Sequence, residues 1–151
     1  MIRRKLTLNL AYRMTNKSVL LGLDVGERRI GVSIGDSIGR LASPLPALEV
    51  DGMELLRMQR LMLEQEVHGL VVGLPRNMSG EPTKQTQAVQ DFVVRRLNGF
   101  GLPVHFQDES VTSLVAEQRL KQRGKPYQKG DIDSEAAAII LQDYLEENHG
   151  H

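Results

Sequence analysis

The sequence predicts an α/β domain, a mixed five-stranded sheet with helices packed on it. Three observations predict it. A nearly continuous apolar run, Val19 to Asp24, has the character of a central strand buried on both faces. Two more short apolar runs, Gly69 to Gly73 and Val104 to Glu109, follow later in the chain. Between and after them the apolar residues recur at helical rather than alternating spacing.

The elements follow in order. Gly26 ends the first strand in a turn, and Arg29 to Ile34 is a second strand with Ile30, Val32 and Ile34 on one side. Leu41 to Val50 is a third, broken by Pro44 and Pro46, which places it at a sheet edge or partly in a loop. Short links make these three an antiparallel meander. Leu55, Met58 and Met62, with Leu56 and Leu63 beside them, mark the first helix. After the strand at Gly69 comes a loop, Pro75 to Pro82, with a Ser79-Gly80 turn signal. Val89, Phe92, Val93 and Leu97 mark the next helix, and Gly101 and Pro103 precede the last strand. Thr112 or Ser113 is the expected cap of a helix reaching about Gln122. Gly124 to Gly130 reads as a flexible basic loop, and the final helix carries Ala137, Ile140, Leu141 and Tyr144 on one face. The order β-β-β-α-β-α-β-α-α implies parallel pairing wherever a helix intervenes. One domain is expected over residues 18–148, with 1–17 a poorly ordered tail and Met14 the expected natural start of translation.

Composition narrows the function. The 19 basic and 19 acidic residues cancel, so the chain is not coated in charge for nucleic acid. Local patches remain: no acid occurs in the first 23 residues, nor among residues 119–130, which hold Arg119, Lys121, Arg123, Lys125 and Lys129. Each patch reads equally as a solvated basic face. The lack of cysteine excludes disulfides and thiolate metal sites. No apolar run approaches the roughly 18 residues of a membrane span, and the N-terminus lacks the pattern of a signal peptide. A cytoplasmic protein is expected.

Three acids stand out. Asp24 ends the strongest apolar run, where a carboxylate suffers desolvation unless it is paired or binds a cation; an Asx turn into Gly26 is the plainer reading. Glu109 ends the last strand beside Asp108, where open sheets place ligands. Strand alternation puts Val104, Phe106 and Asp108 on one face and His105, Gln107 and Glu109 on the other. Asp133 opens the final helix on the face that packs on the sheet, unless it serves as a cap, a task Asp131 can take instead. If the three converge at one sheet edge, their repulsion is relieved by Mg²⁺ or Mn²⁺.

These segments resemble a known family. Gly22-Leu23-Asp24-Val25-Gly26-Glu27-Arg28-Arg29-Ile30-Gly31-Val32 is similar to the opening strand pair of the YqgF (RuvX) family. Val72-Gly73-Leu74-Pro75, with Asn77-Met78 and Gly80, resembles its second motif, Asp108-Glu109 its third, and Asp133 with Ala136 to Leu141 its fourth. The resemblance spans about Val19 to Leu145 and implies a ribonuclease-H-like fold related to the RuvC resolvases. It implies a phosphodiester hydrolase acting on the 5′ end of precursor 16S rRNA, with Holliday junctions as a further substrate, as monomer or homodimer. It makes Asp24, Glu109 and Asp133 the catalytic, metal-binding acids in a two-metal mechanism. Arg29 matches a basic residue of the family. Ser110 departs from the Arg that usually follows the acid pair, while Thr112 keeps the hydroxyl further on.

Arg76 and Asn77 in the loop after the fourth strand, and Lys121, Arg123, Lys125 and Lys129, are the remaining candidates for contact with nucleic acid. Tyr127 is the one stacking candidate, and His68 and His105 read as structural. A non-catalytic nucleic-acid-binding module, linked to transcription or recombination, is the alternative function. A phosphate-gripping kinase-like fold is disfavoured because it needs two such domains.

Overall fold

The computed structural model describes residues 17–110 and 112–148. The tail expected at 1–17 lies outside the described residues except for Lys17. Five strands, β1 (Val19–Val25), β2 (Arg29–Asp36), β3 (Ser43–Glu49), β4 (Gly69–Pro75) and β5 (Val104–Glu109), form one sheet in the order β3-β2-β1-β4-β5. The meander β1-β2-β3 is antiparallel, and β4 and β5 run parallel to β1. Short links allow only the first pairing, and helical crossovers give the second. The prolines place β3 at the edge as expected, and its register slips between the Ile30–Leu48 and Val32–Leu45 pairs, at Pro46 and Ala47.

Four helices cover the sheet: α1 (Glu54–Glu64), α2 (Lys84–Phe92, continued by a π-helical turn, Val93–Leu97), α3 (Thr112–Arg123) and α4 (Lys129–Glu147). On one face Leu21, Leu23, Leu70, Val72 and Leu74 pack with Met58 and Met62 of α1 and Val89 and Leu97 of the α2 segment. Leu56 and Leu63, beside the buried methionines in sequence, turn outward. A capping box of Thr83 and Thr86 starts α2, and the Thr86 hydroxyl also donates to the Pro75 carbonyl, tying α2 to the end of β4.

The other face belongs to α4. Here the strands present glycine: a Cβ at Gly22 would meet the Ala137 carbonyl at 2.7 Å, one at Gly73 the Ile140 Cδ1 at 2.4 Å, and one at Gly31 the Asp133 carbonyl at 1.9 Å. The helix therefore lies with its backbone almost on the sheet. The buried Ser33 hydroxyl donates to the Ala137 carbonyl at 2.7 Å, and Val32 N–H donates to Ser134 Oγ at 3.2 Å. The amphipathic stripe expected for α4 is exceeded. Every residue from Ser134 to Leu141 is buried, because Ala116 of α3 packs on Ala136 and Ile139 from the side away from the sheet.

Two boundaries differ from the sequence reading. Lys129 and Gly130, expected in the basic loop, begin α4. Asp131 rather than Asp133 completes the cap: its Oδ2 accepts from Gln128 N–H at 2.8 Å. Asp133 consequently lies in the second turn, released from capping. The helix expected to reach about Gln122 runs to Arg123. His68 Nδ1 accepts from Val19 N–H at 3.1 Å and the His105 ring lies 5.2 Å from that of Tyr144, so both histidines serve the fold as expected.

Candidate metal and nucleic-acid site

Asp24, next to last in β1, lies opposite Gly31 of β2, on the face that α4 covers. The same missing Cβ that lets α4 approach at Gly31 brings Asp133 beside Asp24. Burial, and then the charge of Asp133, push the Asp24 carboxyl up to about 6. Desolvation leads because the group stands at the end of a strand buried on both faces. The Asx-turn alternative is not what the structure shows at this turn: Gly26 N–H bonds to the Arg29 carbonyl at 3.0 Å.

Asp133 has a second neighbour. Arg29 Nε donates to its Oδ2 at 2.7 Å, both side chains about a quarter exposed. Arg29 therefore balances part of the charge of the acid pair, and its own pKa rises through that hydrogen bond.

Glu109 points to the same face, as strand alternation requires, with Gln107 buried behind it and Asp108 outside. Its partners are not the other two acids. Its carboxyl is pushed up to about 8 by burial and then by the hydrogen bond and charge of Asp143, with Glu147 adding to the rise. The Thr112 hydroxyl, donating at 3.0 Å to Oε2, works the other way. Glu109 Oε1 is buried without a donor. Asp143 can satisfy it only if one of the two carboxyls keeps a proton. Sequence reasoning missed Asp143, although its spacing gave a signal: it follows by three residues Ile140, whose side chain rests on Gly73.

The expected triad is thus divided. Asp24 and Asp133 meet; Glu109 stands on the same face but with Asp143. Among the described residues no group of three His, Asp or Glu is arranged to hold a metal ion. The donor chemistry still suits a hard divalent cation. Asp24 carries a charge that burial disfavours, Asp133 stands near it, and a third acid offers a buried oxygen without a donor.

The basic candidates separate. Arg76 reaches across from the end of β4 to Asp108 at 3.2 Å and borders a cleft with Asn77, Met78, Gly80, Glu109 and Ser110. Asn77 organises that loop, its Oδ1 accepting from Ser79 N–H, the Ser79 hydroxyl and Glu81 N–H. Lys121 makes an exposed pair with Glu117 at 3.5 Å. Arg123 is committed to structure: it donates twice, at 3.1 and 2.8 Å, to Glu135, whose side chain is 4% exposed. Removing one partner of such a pair strands a buried charge. Arg123→Ala is expected to lower stability by about 2 kcal/mol, discounted because the guanidinium is itself half exposed. Urea denaturation checks it, and Arg123→Ala with Glu135→Gln together should recover much of the loss. Lys125 and Lys129 lie on the exposed side of the turn into α4.

A five-stranded mixed sheet with paired acids at the end of its central strand, backed by a helix lying close on the glycine face, is the ribonuclease-H-like arrangement. The comparisons agree. The chain resembles the Thermus thermophilus RuvC structure solved with a Holliday junction substrate (16% identity, 88% of this chain and 96% of that one, TM-score 0.54). It also resembles the fowlpox virus resolvase solved with Holliday junction DNA (8% identity, 85% and 97%, TM-score 0.50). At these identities the likeness is one of fold. Sequence relatives go further. A Chloroflexus aggregans protein named "Putative pre-16S rRNA nuclease" is 46% identical over 135 residues, 87% of this chain and 95% of the relative. One of the same name from Synechocystis is 39% identical over 142 residues, 91% and 93%. The model of the RuvX family, described as Holliday junction resolvase, matches residues 18–147, and this chain belongs to that family.

Proposed function

We propose that the chain is a divalent-metal-dependent endonuclease that trims the 5′ end of precursor 16S rRNA, with branched DNA as a second substrate. The observation that supports it most is the half-buried Asp24 carboxyl within the field of Asp133, two charges that the fold tolerates poorly together without a cation. Family membership and the names of the relatives support the substrate class.

Asp24 and Asp133, with Glu109, would hold Mg²⁺ or Mn²⁺, which when bound supplies activation of water and neutralises charge at the leaving oxygen. The chain's own residues do the rest. Gly31 and Gly73 let α4 carry Asp133 to the strand ends. Arg29 orients Asp133 and offers a guanidinium next to where a scissile phosphate would lie. Burial first, then Asp143 against and Thr112 in favour, set whether Glu109 is charged. Arg76 stands at the rim of the cleft and Lys121, Lys125 and Lys129 near the turn into α4, positions suited to backbone phosphates.

The Arg29–Asp133 ion pair favours a second reading, a nucleic-acid-binding module without cleavage, since a guanidinium already occupies one carboxylate. Titration of Mn²⁺ and Mg²⁺ against labelled precursor rRNA and a four-way junction separates the two. Cleavage that appears with metal and disappears with chelator is expected. Binding that weakens steeply with salt, with no product at any metal concentration, would leave the second reading standing. Solution mass measured alongside distinguishes monomer from dimer.

A further inference from the structure

A cleft of about 490 Å³ opens between the edge strand β3, the end of α3 and the start of α4. Pro44, Leu45 and Pro46 form one wall, and Leu120 and Tyr127 line it with them. Behind them Ser134 and the buried Glu135 close the floor, Glu135 already neutralised by Arg123. Lys125 stands at the mouth, in a stretch, 119–130, that contains no acid.

Its position is set by strand register. Leu45 lies opposite Val32, and Val32 opposite Leu23, the residue before Asp24. The cleft therefore stands level with the acid pair and two strand spacings away, roughly 10 Å across the sheet. On α4, Asp133 faces Arg29 and Asp24, while its neighbours Asp131, Ser134 and Glu135 face the cleft. The two sites thus share a single turn of the helix and lie on different sides of it.

The walls select the occupant. Pro44 and Pro46 lack N–H groups, so this edge cannot continue the sheet with a strand from another protein. Apolar walls, a tyrosine whose hydroxyl is fixed on Glu117 at 3.3 Å and a lysine at the mouth suit a flat ring with an anionic attachment. We infer that this cleft binds an unpaired base of the nucleic-acid substrate, one or two nucleotides from the scissile phosphate, stacked against Tyr127 with its phosphate on Lys125. The inference rests on the nucleic-acid reading above but not on catalysis. It makes the cleft a selector for substrates with a single-stranded or displaced nucleotide beside the cut.

The test uses the full chain and oligonucleotides, RNA and DNA in parallel, with 2-aminopurine placed at successive positions. One position is expected to be quenched on binding, and Tyr127→Leu, which keeps apolar bulk, should abolish that quench and weaken binding about tenfold. An abasic substitution at the same position should weaken wild-type binding to a similar degree. The two changes together should cost no more than either alone. The abasic arm uses unaltered protein, so misfolding of a variant cannot hide the answer. Binding with no quenched position, or with equal loss at every abasic position, overturns the base subsite. Absence of any binding overturns both the subsite and the nucleic-acid reading. A Tyr127-dependent quench without metal-stimulated cleavage keeps the subsite and sinks only the nuclease reading.

Discussion

Asp24→Asn is expected to abolish cleavage and, in metal-free protein at pH 8, to make the fold more stable. The two effects share one cause. The folded protein holds the Asp24 proton up to about 6, against an ordinary value of 3.8. Between those values the folded state binds a proton that the unfolded state has lost. Wild-type stability therefore falls as pH rises through this window and then levels off. The difference of about two pKa units corresponds to on the order of 2–3 kcal/mol for this largely buried group. Asparagine keeps the shape and removes the charge, so the variant should gain roughly that amount at pH 8 and almost nothing near pH 4. Urea midpoints at the two pH values measure it. Added Mg²⁺ should stabilise the wild type and leave the variant unmoved. Because metal and proton compete for the same carboxylate, the affinity of the wild type for Mg²⁺ should rise through about pH 6 as Asp24 ionises. A variant that still cuts, or one less stable than wild type at pH 8, contradicts the role assigned to this carboxylate.

Gly31→Ala is expected to be among the most damaging single substitutions in the chain. The added Cβ would lie 1.9 Å from the Asp133 carbonyl oxygen and 2.9 Å from Ser134 N. Both contacts are helix backbone, which cannot rotate aside as a side chain can. The helix must lift from β2, stretching the Val32–Ser134 and Arg29–Asp133 bonds together. Overpacking of this kind costs about 3 kcal/mol or more. Metal-induced stabilisation should fall with it, because Asp133 moves away from Asp24. Gly99→Ala is the control: nothing lies within 4 Å of its Cβ and its φ is not positive, so the change should be neutral or gain a few tenths of a kcal/mol. Equal stability of the two variants in urea would show that α4 does not depend on that close approach.

Much of this molecule was legible before folding. The run Val19–Leu23 is apolar at every position except Gly22, and only a strand covered on both faces buries such a run, which makes β1 central. Pro44 and Pro46 lack N–H donors, which consigns β3 to the edge. Alternation in β5 turned Glu109 toward α4 and Asp108 outward. Each is a local rule acting over a few residues, so the sequence suffices.

What tertiary structure decided is who meets whom. Asp24 and Asp133 are joined because Gly31 has no Cβ to hold them apart, a fact about two elements about 100 residues distant. Glu109 answers to Asp143 rather than to Asp24, because the diagonal path of α4 brings its later turns over β5. Arg123 reads as one more cation of the basic stretch 119–130, yet it neutralises Glu135, a charge visible only once α3 and α4 pack. The sequence by itself determined the strands, their order and the acids available. Only the packed fold decided which acids share a field, because Coulomb energy and desolvation depend on separation and burial in space, and neither is set by distance along the chain.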